Sequence, residues 1–117
     1  MTTVQNMHAH VRNLCARHDI RVSWCRRPMQ AWAGREIEGI QIAPIKSVIS
    51  YATAMHELGH MLGRYQHSKA SMVRERWAWE WARRNALVWT PAMEEYARIS
   101  LTFAAKAAGA NVTRLRA

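Results

Sequence analysis

The residues of this chain best equipped for chemistry are His56 and His60, set in the stretch Met55-His56-Glu57-Leu58-Gly59-His60-Met61. Positions four apart on a helix lie one turn above each other on the same face, so the two imidazoles can grip one cation. Neutral imidazole nitrogen is a good ligand for Zn²⁺. A carboxylate beside the first histidine is placed to take a proton from water that the metal activates. His-Glu-x-x-His is the spacing of zinc-dependent peptide hydrolysis, with His56 and His60 as ligands and Glu57 as general base.

This chemistry needs a helix, and the flanking residues predict one. Ser47 stands at a capping position, and no Pro or Gly interrupts the run from Val48 to Leu58. Val48, Tyr51, Met55, Leu58 and Leu62 form one apolar stripe, while Ile49, Thr53, His56, His60 and Gly63 line the adjacent face. The histidines are thus offset from the main core.

Other elements must support that helix. Thr2-x-x-Gln5 can form a capping box, and Val4, Met7, Val11, Leu14 and Cys15 recur at helical spacing, predicting an amphipathic helix over 3–18. Its His8 and His10 diverge on a helix and read as surface residues. Ile20-Arg21-Val22-Ser23-Trp24 alternates as a half-buried strand does, until Arg26-Arg27-Pro28 breaks it. Residues 29–36 carry no clear period. A second strand is expected over Ile37–Ile42, with Gly39 as a bulge and Pro44 as its end. After a polar connection, Ser68 or Ser71 can cap a Trp-rich helix over Ala70–Val88, in which Trp77, Trp79 and Trp81 read as packing residues. Thr90 and Pro91 suit the cap and first position of a last helix running to Ala108, closed by Gly109. Residues 110–117 are then expected to be a flexible basic tail.

Composition bounds the rest. With 117 residues, half of them hydrophobic, the chain suits one globular domain over 1–117. Cys15 and Cys25 lack C-x-x-C spacing and read as buried thiols in a reducing compartment. Polar residues interrupt the first thirteen positions, and Lys106 cuts the apolar run Leu101–Ala110, so a cytoplasmic protein without a membrane anchor is expected. The net charge of +9 attracts nucleic acid or acidic proteins, but the arginines are scattered and no nucleic-acid-binding motif surrounds them. A solvated basic surface is the expectation, with nucleic acid a lesser one.

Beyond the motif itself, Ile40-x-Ile42-x-Pro44, Tyr51, His56-Glu57-Leu58-Gly59-His60 and Glu75-x-x-Ala78-x-x-Trp81-Ala82 resemble the zincin metallopeptidases, and among them the ImmA/IrrE-type family common in phages and mobile elements. The resemblance covers about residues 37–91; Arg83-Arg84-Asn85 and the late Pro91 depart from the family's Leu-rich continuation. It implies an α+β, minigluzincin-type fold, with a small sheet of two or three strands and two further helices after the motif helix. It also implies one Zn²⁺, Glu75 as third ligand, and protein substrates such as transcriptional regulators. On the zincin plan, Ile40–Ile42 would be the edge to which an extended substrate adds.

Glu80 and His67 compete with Glu75 for the third ligand. Helix geometry favours Glu75, which shares a face with Ala78, Trp79, Ala82 and Ala86, a mostly small-residue face able to approach Gly59 and Gly63 closely. Glu80 falls among Arg76, Arg83 and Arg84 and reads as a surface ion-pair partner. The longer pattern His-Glu-x-x-His-x-x-Gly-x-x-His finds Gly63 in place but Gln66 where its third histidine would stand. His67, if the connection bends, could supply a ligand or stabilise the tetrahedral intermediate, and Tyr65 and Tyr51 are weaker candidates for the same role. The rival function is a zinc-stabilised module that binds a protein partner or nucleic acid without catalysis; Glu57 beside an open coordination position argues for hydrolysis.

Overall fold

A computed structural model describes the backbone of residues 2–116 and the side chains of residues 2–109. Four helices and a three-stranded sheet form an α+β fold. Helix α1 spans Val4–Arg17 and is capped by Thr3, whose hydroxyl accepts from the Asn6 N–H, rather than by Thr2. It buries Met7, Val11, Leu14 and Cys15. Strand β1 follows at Arg21–Trp24, mostly exposed because only Val22 turns partly inward. After a single 3-10 turn at Pro28–Gln30 come β2, Trp32–Gly34, and β3, Gly39–Ile42.

The sheet order is β1-β3-β2, with β1 parallel and β2 antiparallel to β3. This corrects two expectations. Gly39 is not a bulge: it sits in regular register opposite both Arg21 and Gly34, and Ile37 and Glu38 belong to the turn before it. Nor is Ile40–Ile42 an edge. The short β2 pairs along its flank and makes β3 the central strand, while Ile40 and Ile42, two apart and so on one face of the sheet, are buried in the core with the apolar side chains of α1 and α2.

Helix α2, Val48–Leu62, begins at Ser47, whose hydroxyl accepts from the Ser50 N–H, and ends at Gly63, whose N–H donates to the Gly59 carbonyl at 2.7 Å. It is the spine of the core. Tyr51, Ala52, Ala54, Met55 and Leu58 are fully enclosed, and each large apolar side chain so buried contributes roughly 1.5–3 kcal/mol. Helix α3, Ser71–Asn85, packs along α2. Its N-cap is Ala70, without a side-chain cap, so neither Ser68 nor Ser71 caps it. A β carbon added at Gly59 would lie 2.2 Å from the Ala78 carbonyl oxygen, so the α2–α3 contact exists only because Gly59 has none.

Helix α4, Pro91–Arg116, starts at Thr90, whose hydroxyl accepts from the Met93 N–H. It runs on past Gly109, which is therefore not its cap: a single interior Gly costs only about 1 kcal/mol and alanines flank it. The side chains of the expected tail over 110–117 lie outside the described residues. Both cysteines are free thiols, but only Cys15 is buried as expected; Cys25, just past the end of the mostly exposed β1, is half-buried. Among the described residues no helix is long and apolar enough to cross a membrane.

Candidate metal centre

Helix α2 carries His56 and His60 on the face turned toward α3, and the close packing at Gly59 and Ala78 brings the first turns of α3 over them. Glu75 is thereby delivered between the two imidazoles. Its Oε2 lies 2.9 Å from His56 Nε2 and its Oε1 lies 3.1 Å from His60 Nε2. One ligand atom from each of the three residues falls within 4.8 Å of the others, so His56, His60 and Glu75 are close enough to hold a metal ion. Two imidazole nitrogens and a carboxylate form a donor set suited to a borderline cation. Tetrahedral bonds of about 2.0–2.1 Å place ligand atoms about 3.3 Å apart. Both observed carboxylate–imidazole separations are a few tenths of an ångström shorter than that, so the residues fit an ion with little rearrangement.

The electrostatics match a site built for positive charge. Burial, the largest influence on His56, disfavours its cation, but hydrogen bonds to Glu57 and Glu75 together with their charges outweigh it and raise the pKa to about 9. Burial likewise works against a charged Glu75, yet hydrogen bonds from His56 and His60 hold its carboxyl far below the usual range. The cluster thus holds a proton where a metal would displace it.

Two contacts fix the His56 ring. It stacks on Trp79 with centroids 4.2 Å apart and planes 13° from parallel, and its Nδ1 lies 3.3 Å from Glu57 Oε1. The Trp79 indole N–H is buried and has no hydrogen-bond partner among the described residues. Such a donor costs about 1–3 kcal/mol, offset here by ring packing against His56, Trp89 and Tyr96. Glu57 is buried beside the cluster. Around these residues lies a cleft of about 500 Å³ whose walls include Trp32 and Ala33 of β2, Arg35, and Arg74 from α3.

The remaining sequence candidates fall elsewhere. Glu80 is bound to Arg83 at 2.6 Å and Arg84 at 2.7 Å, as an ion-pair partner. His67 is exposed, with its Nε2 3.0 Å from the Arg35 guanidinium, and lines an adjoining depression that shares Arg35, Glu36 and Gln66 with the metal cleft, rather than the cleft itself. Tyr65, 56% exposed, packs edge-on against Trp77. Tyr51 is sealed in the core, accepting from the Leu87 N–H and bonded to His10 Nδ1 at 2.7 Å. Tyr65 and His67 are exposed on either side of the buried Gln66, so it is Gln66 that the connection turns toward the carboxylate–imidazole cluster.

Several site residues escaped sequence reasoning. Trp79 read only as core; its position one turn after Glu75 was the available signal. Trp32 and Ala33 lay in a stretch without period. Gln66 stood only as a histidine that was not there, yet its amide reaches His60 Nδ1 at 2.9 Å. No family model matches the chain, and neither a curated protein nor a solved structure matches it.

Proposed function

We propose that the chain is a zinc-dependent endopeptidase of zincin-like, minigluzincin type, acting on a protein substrate such as a transcriptional regulator. One observation carries the reading: the convergence of His56, His60 and Glu75 in an open cleft with the buried carboxylate of Glu57 beside them. Among the described residues no fourth His, Cys, Asp or Glu completes the cluster, as a closed structural site would require. This favours catalysis over a module that keeps zinc for folding alone.

His56, His60 and Glu75 would hold the zinc. Bound there, it supplies Lewis acidity toward a carbonyl oxygen and toward water. Glu57 accepts the proton of the attacking water and passes it to the leaving nitrogen, so the carboxylate is regenerated in each turnover. Trp79 holds the plane of His56 through both steps. An extended substrate adds to β2, the edge strand whose Trp32 and Ala33 line the cleft, rather than to β3.

A proteome-derived peptide library tests the reading. The zinc-loaded protein is expected to cut a reproducible subset of peptides, and neither the chelated protein nor a Glu57→Gln variant that retains zinc should do so. Cutting by Glu57→Gln at the parent rate removes Glu57 as the base, and absence of any zinc-dependent product overturns the assignment as a peptidase.

A further inference from the structure

We propose that Gln66 is the positioning residue of the metal centre, holding His60 in the one tautomer that offers Nε2 to the ion and tying that histidine to the helix that carries Glu75. The inference rests on the reading of His56, His60 and Glu75 as metal ligands.

The orientation of the amide follows from its three partners. Gln66 Nε2 donates to two backbone carbonyls, that of Arg64 at 3.2 Å and that of Arg74 at 2.9 Å. Both partners are obligate acceptors, so the nitrogen must face them and Oε1 must face His60 Nδ1, 2.9 Å away. An amide oxygen only accepts. His60 Nδ1 therefore carries a hydrogen, so a neutral ring that binds a metal does so through Nε2, the atom 3.1 Å from Glu75 Oε1.

The same amide reaches the other half of the site. Arg74 immediately precedes Glu75 on α3, so one side chain spans the second histidine, the connection after α2 and the turn of α3 that bears the carboxylate. The chain accepts strain to place it: Tyr65, just before Gln66, adopts φ 60°, a left-handed conformation that costs a non-glycine residue on the order of 1–3 kcal/mol. That turn sends Tyr65 to solvent and Gln66 inward, where it is 6% exposed and fully hydrogen-bonded. A buried, fully partnered amide next to a candidate ligand, bought with a strained residue, is what a site needs when its imidazole must not rotate.

The test compares the full-length protein with Gln66→Met, which keeps the shape but removes the acceptor, and with Gln66→Glu, which keeps an acceptor facing His60. Zinc affinity is read by competition with a chromogenic chelator, and the His60 ring by ¹⁵N NMR of histidine-labelled, zinc-loaded protein. In the parent protein His60 should bind zinc through Nε2 and show a slowly exchanging, hydrogen-bonded Nδ1 proton. Gln66→Met should bind zinc about ten- to a hundredfold more weakly and lose that proton's protection. Gln66→Glu should keep the protection of that proton, since a carboxylate oxygen still accepts from His60 Nδ1, even though it loses the two donations to the carbonyls of Arg64 and Arg74; loss of protection in Gln66→Glu to the level of Gln66→Met would overturn the role of the acceptor. Parent-like affinity in Gln66→Met, or coordination through Nδ1 in the parent protein, overturns the proposal while leaving the metal centre standing. The NMR arm needs no variant, so it decides even where a substitution prevents folding. A parent protein that binds no zinc removes both this inference and the metal centre beneath it.

Discussion

Replacing Gly59 by Ala sets two physical effects of opposite sign against each other. Gly59 lies inside α2, where Ala is favoured over Gly by about 1 kcal/mol on intrinsic propensity alone. Against that, the new β carbon would sit 2.2 Å from the Ala78 carbonyl oxygen and 2.8 Å from two further backbone atoms of Ala78. A carbon–oxygen contact relaxes only beyond about 3.2 Å, so α3 must retreat by roughly 1 Å, and its partner is backbone that cannot swing away. Overpacking of this kind costs about 1–3 kcal/mol or more. The net expectation is a loss of stability of up to about 2 kcal/mol, and a lower Tm in thermal unfolding followed by circular dichroism. Glu75 rides on the displaced helix, less than one turn before Ala78, so the same retreat pulls its carboxylate from His56 and His60. Zinc affinity should fall at least tenfold. A Gly59→Ala protein with raised Tm and unchanged zinc affinity would show that propensity dominates and that the helix contact does not set the site.

Three further outcomes are expected. Glu75→Ala should weaken zinc binding tenfold or more in a chelator titration, and Glu80→Ala should leave it unchanged, because Glu80 is committed to Arg83 and Arg84; the reverse result would relocate the third ligand. Tyr51→Phe should cost about 1–3 kcal/mol in urea unfolding, since it strips a partner from the Leu87 N–H and from His10 in one step; a change under 0.5 kcal/mol would mean that water replaces the hydroxyl. Burial first, and the Arg17 charge second, lower the pKa of His10 below its usual 6.5, so the folded state binds its proton less readily than the unfolded chain. Its contribution is complete above pH 6.5 and is lost as the pH falls through 6.5 toward the lowered folded value. The stability difference between parent and His10→Gln should show that acid-side loss, and a difference flat across the window would contradict it.

Local signals in the sequence anticipated much of this fold. The α2 helix was legible because capping and helical periodicity act within a few residues, and Ser47 and the Val48–Leu62 stripe satisfied both. Glu75 was separable from Glu80 because α3 has a small-residue face, and Gly59 and Ala78 do meet there. The sheet order was hidden. Three residues, Trp32-Ala33-Gly34, are too few to show alternation, and whether β3 is central or an edge depends on that one pairing. Gln66 was hidden for another reason: its value comes from carbonyls of Arg64 and Arg74 and a ring nitrogen of His60 brought together only after α2 and α3 have packed. The end of α4 went past Gly109 because a Gly can interrupt a helix only where capping geometry competes with continued winding.

The metal content of the protein bears most directly on the whole account. Protein produced with adequate zinc and dialysed exhaustively should contain close to one zinc per chain by elemental analysis, and His56→Ala, His60→Ala and Glu75→Ala should each contain much less. A parent protein without zinc, whose thermal unfolding is unmoved by added Zn²⁺, would contradict the assignment of this cluster as a zinc centre.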